Sequence, residues 1–353
     1  MEILSCENVA FKYNESTDYA ISDCTFSVKK GEKIMLCGAS GSGKSTLLRL
    51  LKRELSPRGE LSGNITIMGK DRSELSDRES AEKIGFVMQS PDSQTVCDKV
   101  SAELAFGLES FGVKSGEIQS RVGEMAAFFG IEPLYDRDIS TLSGGQKQLV
   151  ALCSVMATDP DILLLDEPTA QLDPVAAREL LGILDRLNKE MGVTIIIAEH
   201  DPEELFDSCD KILYLAKGKT EFFGTPALTA KYFVENALDG FLPETAKAFA
   251  RLCDDLPLNV RQGRAKLEKL GVTDIPKQAV NDTERAEPYA LQCKDLWQRY
   301  EKNSPDILKG CDLGIRKGEC YGLLGSNGGG KSTLLRVICG LCKPYMGTVS
   351  LFG

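Results

Sequence analysis

The sequence predicts an α/β fold in which helices cover a core of buried parallel strands. Three runs, at residues 83–89, 161–168 and 193–200, are too uniformly apolar for strands with one face in water, and helical patterns lie between them. A glycine-rich loop of the pattern GxxxxGK[ST] also occurs twice, at residues 38–45 and 325–332. Together these observations predict a layered core that binds phosphate and that begins again late in the sequence.

The two glycine-rich loops belong to an internal repeat. Lys44 and Lys331 are 287 positions apart, and the same spacing relates Tyr13 to Tyr300. The second copy contains a phosphate loop but none of the later motifs of the first, so we expect the chain to be an N-terminal fragment of a tandem protein. The predicted parts are a first complete domain, a helical insert with a linker, and the N-terminal part of a second domain, at residues 1–226, 227–288 and 289–353.

The first phosphate loop lies between a predicted strand and a predicted helix. Residues 2–13 and 20–29 predict short β segments, and after a turn at residues 30–32 the chain enters a buried strand at residues 33–37. Beyond the loop, apolar residues at helical spacing predict a helix that stops before Ser56-Pro57. The order strand, loop, helix is the one that a phosphate-binding loop requires.

The end of the first domain and the insert differ from the core in their predicted secondary structure. Residues 209–226 predict a hairpin, and amphipathic helices are predicted at residues 245–256 and 261–270. A polar stretch at residues 278–288 predicts a linker before the repeat begins again.

Composition restricts the classes of function. The 353 residues carry a formal net charge of −10, which disfavours wholesale binding of nucleic acid, since such binding uses Lys and Arg to neutralise phosphates. No apolar run approaches the ~20 residues that span a bilayer, and the N-terminus lacks the pattern of a signal peptide, so we expect a cytoplasmic protein. The twelve cysteines are scattered through apolar contexts, as buried thiols are, and the pair Cys339 and Cys342 has no second pair that would indicate zinc.

The first loop predicts an ATP site. Backbone N–H groups of such a loop and the N-terminus of the following helix attract phosphate oxygens. Lys44 is expected to reach the β- and γ-phosphates, and the Ser45 hydroxyl is expected to ligate Mg²⁺. The predicted ATP-binding residues here are Gly38, Ala39, Ser40, Gly41, Ser42, Gly43, Lys44, Ser45 and Thr46.

Two carboxylates and a histidine follow buried strands of the same core. Asp166 and Glu167 follow four apolar residues, and the single histidine of the chain, His200, ends the next apolar run. Because ligands of open α/β sheets bind at the carboxyl ends of strands, Asp166 is predicted to hold Mg²⁺ through water and Glu167 to polarise the attacking water. His200 is predicted to contact phosphate. The alternative for Asp166 and Glu167 is that they are solvated acids in a turn, and the alternative for His200 is a structural role.

The stretch TLSGGQKQLVALCSVMATDPDILLLDEPTAQLD, residues 141–173, resembles the nucleotide-binding domain of ABC transporters. The resemblance implies a P-loop NTPase core with an antiparallel β subdomain and a helical subdomain that carries the signature LSGGQ. Two such domains then face each other head to tail, so that the signature of one closes on the ATP of the other, either within a full-length chain or by dimerisation. Ser143, Gly144 and Gly145 suit a helix N-terminus that offers hydroxyl and amide donors to the γ-phosphate, and Gln146 is also predicted to bind ATP.

The same resemblance assigns further residues. Gln89 is the Q-loop residue, which contacts ATP and the metal ion, and Asp173 is the D-loop residue. Tyr13 is the aromatic side chain that stacks on adenine, and Tyr300 is its counterpart in the second copy. The second copy is also predicted to bind ATP, with Ser332 as its metal ligand, through Gly325, Ser326, Asn327, Gly328, Gly329, Gly330, Lys331, Ser332 and Thr333.

The segment after Gln89 narrows the resemblance to the energy-coupling factor transporters. It carries the Pro-Asp-x-Gln and Glu-x-Ala-Phe-Gly patterns of their ATPases, although Thr95-Val96 stands where larger apolar residues are expected. The resemblance implies a hydrolase that drives uptake of a vitamin or metal ion, peripheral to the cytoplasmic face of the membrane, with a transmembrane subunit and a substrate-binding membrane subunit. The alternatives are a soluble tandem ABC ATPase that acts on ribosomes or nucleic acid, and the ATPase of an exporter. The matching residues are Pro91, Asp92, Gln94, Glu103, Ala105, Phe106 and Gly107.

Overall fold

A computed structural model describes residues 1–271, 289–301 and 304–352. The chain forms two compact units, Met1–Thr273 and Asp274–Gly353. Within these described ranges, no helix is long and apolar enough to cross a membrane. The linker predicted at residues 278–288 lies outside the described residues.

The first unit contains ten strands and nine α-helices among its described residues. The strands are β1 (Glu2–Tyr13), β2 (Ile21–Lys29), β3 (Lys33–Cys37), β4 (Gly59–Ile67), β5 (Lys70–Asp71), β6 (Ile84–Val87), β7 (Ile162–Asp166), β8 (Thr194–Ala198), β9 (Lys211–Ala216) and β10 (Lys219–Gly224). The helices are α1 (Lys44–Leu51), α2 (Asp77–Lys83), α3 (Val100–Ser110), α4 (Ser115–Phe129), α5 (Gly144–Met156), α6 (Pro174–Met191), α7 (Pro226–Glu235), α8 (Glu244–Phe249) and α9 (Val260–Lys269).

A six-stranded sheet in the order β10-β9-β3-β8-β7-β6 forms the centre of the first unit. Strands β9, β3, β8, β7 and β6 are parallel, and β10 closes the edge as an antiparallel hairpin with β9. Every residue of β3, β7 and β8 is buried, as expected for strands covered on both faces. The α/β fold predicted from the three apolar runs is thus confirmed, with the strands a few residues shorter than the runs.

Successive residues of the central strands face two different cores. Met35 of β3 packs in the core formed by the helices, whereas its neighbour Ile34 packs in the core shared with α1 and an antiparallel sheet in the order β2-β1-β4-β5. On β7, Leu163 and Leu164 divide in the same way. The central sheet is therefore fixed from both sides, and the loops at the carboxyl ends of its strands have rigid supports.

The helices after the hairpin pack on the first unit. Phe233 of α7, Ala246 of α8 and Leu242, which precedes α8, are buried in the same core as the helices α3 to α6. The sequence predicted α8 and α9 but not α7, which begins with Pro226 at its first turn. The domain boundary predicted at residue 226 stays a prediction.

The second unit repeats the antiparallel sheet of the first. Its elements are β11 (Tyr289–Gln298), β12 (Leu308–Arg316), α10 (Lys331–Ile338) and β13 (Met346–Leu351). The order β12-β11-β13 matches β2-β1-β4. Residues 320–324, the counterparts of β3, form no strand, and Leu324 is 93% exposed. In the first unit β3 pairs with β8 and β9, and the described part of the second unit contains no counterpart of either.

Candidate functional site

The phosphate loop of the first unit connects β3 to α1. Gly38 and Gly43 have φ angles of 152° and 104°, in the region that favours glycine. A Cβ at Gly38 would lie 2.3 Å from the carbonyl oxygen of Leu215, so the close approach of β9 also requires glycine there. Among the described residues, Ser42 Oγ is one of the buried polar atoms without a hydrogen-bond partner. A buried, unpaired hydroxyl inside a glycine loop fits a phosphate group as its missing partner.

Lys44 lies inside this loop rather than in solvent. Its Nζ donates hydrogen bonds to the carbonyl oxygens of Gly38 at 2.8 Å and Ala39 at 3.3 Å. Burial lowers the pKa of Lys44 from its ordinary value, and the charges of nearby groups, Glu167 foremost, partly offset this effect. The ammonium group is therefore held where an anionic ligand of the loop would complete its neutralisation.

Ser45 and Asp166 meet at the end of the sheet. Ser45 Oγ donates a hydrogen bond to Asp166 Oδ1 at 2.8 Å. Burial raises the pKa of Asp166, whereas the Ser45 hydrogen bond lowers it. A hydroxyl and a carboxylate oxygen this close fit Mg²⁺, which prefers oxygen ligands and takes one or two protein ligands with several waters. The two predicted metal ligands that are distant in sequence are thus neighbours in space.

Glu167 is held between two predicted site residues. His200 Nε2 lies 2.7 Å from Glu167 Oε1, and Gln89 Nε2 donates to Glu167 Oε2 at 3.0 Å. The carboxylate is 14% exposed and the imidazole 44%, so water reaches the pair from the side of His200. Glu167 has a φ of 49°, a conformation that costs free energy for a residue with a Cβ. The structure brings together the predicted base, the predicted phosphate contact and the Q-loop residue; the proposed metal contact of Gln89 stays a prediction.

Tyr13 borders the phosphate loop. Its hydroxyl is hydrogen-bonded to Thr46 Oγ1 at 2.8 Å, and its ring lies edge-on to Phe11 with centroids 5.0 Å apart. The ring is half-buried beside the start of α1, where a base attached to loop-bound phosphates would extend. Its stacking on adenine remains a prediction.

The signature residues form the N-terminus of α5. Ser143 Oγ accepts a hydrogen bond from the Gln146 N–H, and Gln146 Oε1 accepts one from the Ser143 N–H, a reciprocal capping box. A Cβ at Gly145 would lie 3.0 Å from the Cβ of Ala176, in the first turn of α6. Gly145 of the signature thus packs against the first turn of α6, whose N-terminal N–H groups are capped by Asp173.

The glycine-rich loop of the second unit has the same local contacts as the loop of the first unit, but most of its residues are exposed. Lys331 Nζ donates to the carbonyl oxygens of Gly325 at 2.7 Å and Ser326 at 2.8 Å, and the Tyr300 hydroxyl lies 3.1 Å from Thr333 Oγ1. The predicted residues at 325–329, by contrast, are all exposed. The second loop therefore has the local geometry of the first but lacks the packed support behind it.

Sequence reasoning missed Glu199, which precedes His200 and is 4% exposed. Its carboxylate Oε1 accepts hydrogen bonds from the N–H of Thr169 at 3.0 Å and from Thr169 Oγ1 at 2.7 Å. The available signal was a carboxylate at the carboxyl end of a fully apolar strand, next to a candidate histidine. Its partner, thirty residues away, is not visible in the sequence.

Comparisons with known proteins agree with this geometry. A family model described as ABC transporter matches residues 21–170 and 308–353. A relative from Bacillus thuringiensis named as an ABC transporter ATP-binding protein is 40% identical over 348 residues, and another with this name from Streptomyces coelicolor is 35% identical. These matches cover 98% and 97% of this chain but only 63% and 66% of the relatives. The chain thus spans about two thirds of the length of the curated relatives that it matches.

The solved structures that resemble the chain at a TM-score above 0.5 include the following two. The structure of cbiO1 from Clostridium perfringens, described as part of the ABC transporter complex cbiONQ, has a TM-score of 0.61 and 32% identity, over 75% of this chain and 98% of its own. A dimeric post-hydrolysis state of the ATP-binding cassette MJ0796, bound to ADP and phosphate, has a TM-score of 0.55 and 28% identity, over 63% and 98%. With the family match in both units and a 40% identical relative, the chain belongs to the ABC transporter family, whose ATP-binding cassettes hydrolyse ATP.

Proposed function

We propose that the chain is the ATP-hydrolysing part of an importer of the energy-coupling factor type, which drives uptake of a vitamin or a metal ion through separate membrane subunits. The observation that carries the proposal is the carboxylate of Glu167, which lies between Gln89 and His200 at the sheet edge that also holds the phosphate loop. A general base, a polar contact for the γ-phosphate and a loop for the other phosphates are thus near one another.

Each residue has a role that its position suits. Glu167 orients and deprotonates the attacking water. His200 Nε2, 2.7 Å from Glu167 Oε1, lies beside the carboxylate that takes up this proton. Lys44 and the N–H groups at the start of α1 neutralise the phosphates. Ser45 and Asp166 would hold Mg²⁺, which would supply positive charge to neutralise the phosphates.

Lys44→Ala tests the binding role of the loop. The variant removes a charge-assisted contact to phosphate, so we expect ATP affinity to fall by about 1.5–3 kcal/mol, or roughly tenfold to a hundredfold. Titration with a fluorescent ATP analogue measures this loss. Lys30→Ala, which removes an exposed lysine paired with Asp161, is the control and should bind as the parent does. Unchanged affinity of Lys44→Ala for the ATP analogue would show that this loop does not bind the phosphates.

A groove beside Gln89 offers a docking place for a membrane subunit. Its volume is about 290 Å³, and its apolar lining includes Met88, Val96, Phe106 and Phe111. Val96 is 65% exposed and Phe106 43%, which is unusual for large apolar side chains that pack close together. The matching segment of the sequence carries the resemblance to energy-coupling factor ATPases, and cbiO1 is part of a transporter complex. We assign a short helix of a transmembrane subunit as the occupant.

The groove is connected to the chemistry through adjacent residues. Met88, in the groove, precedes Gln89, which donates to Glu167. Gln94 fixes the loop from the other side, because its side chain accepts from the Met88 N–H at 2.9 Å and donates to the Phe86 carbonyl at 3.0 Å. Movement of a helix bound in the groove would therefore shift Met88, and the adjacent Gln89 would pass this shift to the carboxylate of Glu167.

Val96→Asp tests the docking surface. A charge in an apolar contact must be desolvated, so we expect the variant to lose binding to its membrane subunit while its thermal unfolding stays near that of the parent. The tagged chain is incubated with detergent-solubilised membranes of the source cells, and the captured proteins are identified. Val260→Asp is the matched control, because Val260 is 61% exposed and lies on α9, away from the groove.

Two outcomes would contradict the assignment. Equal capture by both variants would exclude the groove, and sedimentation of the parent chain with ribosomes instead of membrane proteins would favour a soluble ATPase that acts on ribosomes.

A further inference from the structure

The carboxylate of Glu199 connects the turn after β7 to the end of β8. It is 4% exposed, and its Oε1 accepts from both the N–H and the hydroxyl of Thr169, at 3.0 and 2.7 Å. The N–H of His200 also stabilises the charged form of this carboxylate. A buried carboxylate with this many donors is a strong anchor, since removing an acceptor leaves buried donors unpaired.

The turn that Glu199 holds is the one that presents Glu167. Strands β7 and β8 are parallel neighbours in which Asp166 pairs with Ala198, so the two glutamates follow paired positions. The Glu167 N–H donates to the Ala198 carbonyl at 2.9 Å, and the Ala170 N–H donates to the Glu167 carbonyl at 3.2 Å. Between these bonds Glu167 keeps its left-handed φ of 49°.

A conformation of this kind persists when the surrounding structure over-determines it. The backbone bonds fix Glu167 on the side of β8, and the carboxylate of Glu199 fixes the turn two residues later, at Thr169. The same turn continues through Leu172, whose N–H donates to the Thr169 carbonyl at 2.9 Å, to the start of α6. The side chain of Glu199 therefore anchors the turn that carries Glu167, the proposed base. Glu199 also directly precedes His200, the proposed phosphate contact.

We propose that Glu199 is a positioning residue for ATP hydrolysis, which holds the turn at Thr169 so that Glu167 points at the attacking water beside His200. It acts through the turn that carries the Glu167 backbone. Burial raises the pKa of Glu199, while the hydrogen bonds from Thr169 and from the His200 N–H lower it. Burial of this carboxyl group costs desolvation free energy, which its hydrogen bonds from Thr169 offset in part.

Glu199→Ala is the first test. We expect kcat for ATP hydrolysis to fall about tenfold to a hundredfold, because a misplacement of roughly 1 Å costs on the order of 10² in rate. KM and the affinity for a fluorescent ATP analogue should stay near the parental values, since the proposed role of Glu199 is to orient Glu167 and not to bind ATP. Glu199→Gln keeps the size and one acceptor oxygen, so it should recover part of the lost kcat.

Thr169→Val tests the same contact from the donor side and disturbs the fold less. It removes the hydroxyl while keeping the branched shape, and kcat should fall by several-fold. In the double variant with Glu199→Ala the losses should not add, because both changes break one contact. Thr194→Val is the matched control: Thr194 Oγ1 is buried at the opposite end of β8 and accepts from the Gly31 N–H at 3.0 Å. It should lower the melting temperature without lowering kcat.

A measurement without turnover completes the test, because the inference rests on the proposed ATPase activity. Hydrogen exchange in the nucleotide-free chain should rise in residues 167–172 in Glu199→Ala and Thr169→Val, but not in Thr194→Val. The proposal is overturned by unchanged exchange in that turn. It is also overturned by a kcat of Glu199→Ala near that of the parent, by no recovery in Glu199→Gln, or by an equal loss of kcat in Thr194→Val. A parent chain that hydrolyses no ATP would instead contradict the proposed function and leave the exchange experiment to decide on Glu199.

Discussion

Glu167→Gln should reduce the rate of ATP hydrolysis by about 10²–10⁴, the contribution typical of a general base. The amide has the size of the carboxylate, so the hydrogen bond from Gln89 and the contact with His200 keep polar partners. It does not accept a proton at neutral pH, however, and the attacking water is no longer activated. ATP should therefore remain bound, and the closed dimer should accumulate, as seen by size-exclusion chromatography in the presence of ATP and Mg²⁺.

The control for this variant is Glu32→Gln. Glu32 and Glu167 have similar exposure, 16% and 14%, and each contacts a basic side chain, Lys211 in the case of Glu32. Glu32 precedes β3, at the end of the sheet away from the phosphate loop, so its loss should leave hydrolysis near the parental rate. Hydrolysis by Glu167→Gln at the parental rate would show that another group is the base.

The sequence predicted the parts of the site that depend on single strands and loops. A buried parallel strand is a continuous apolar run, so the runs that precede Asp166 and His200 located both side chains at the same edge of the sheet. The glycine pattern located the loop beside them. The predicted positions agree with the structure because each feature follows from residues that are adjacent along the chain.

Features that depend on distant residues were not predicted. The partner of Glu199 is Thr169, and the burial that gives the carboxylate its significance comes from the packing of two strands and a turn. Similarly, residues 320–324 have a sequence like that of β3, yet they form no strand. In the first unit β3 is completed by β8 and β9, which lie far along the chain, so local sequence does not determine whether the strand forms.

Specific ATPase activity of this chain should fall steeply on dilution. The signature occurs once in the sequence, at residues 142–146, and in the first unit its Gly145 lies against Ala176 of α6. In the head-to-tail arrangement implied by the family, that signature completes the ATP site of another domain, and two first units of separate chains then form the pair. Below the dissociation constant of this dimer the rate per chain follows concentration, so a hundredfold dilution should reduce it by up to about a hundredfold. A flat profile would mean that a complete site forms within one chain.

Mixing two inactive variants provides the decisive form of this experiment. Lys44→Ala disables the phosphate loop and keeps the signature, whereas Ser143→Arg keeps the loop and fills the N-terminus of α5 with a bulky cation. A two-fold interface places the loop of each chain opposite the signature of the other chain. In a mixed dimer, one of the two sites therefore combines the intact loop of Ser143→Arg with the intact signature of Lys44→Ala. We therefore expect each variant alone to be nearly inactive and the mixture to recover activity, with the recovery lost again on dilution. Since a site within one chain requires both motifs on the same molecule, no recovery in the mixture, together with a flat dilution profile of the parent, would overturn pairing between chains.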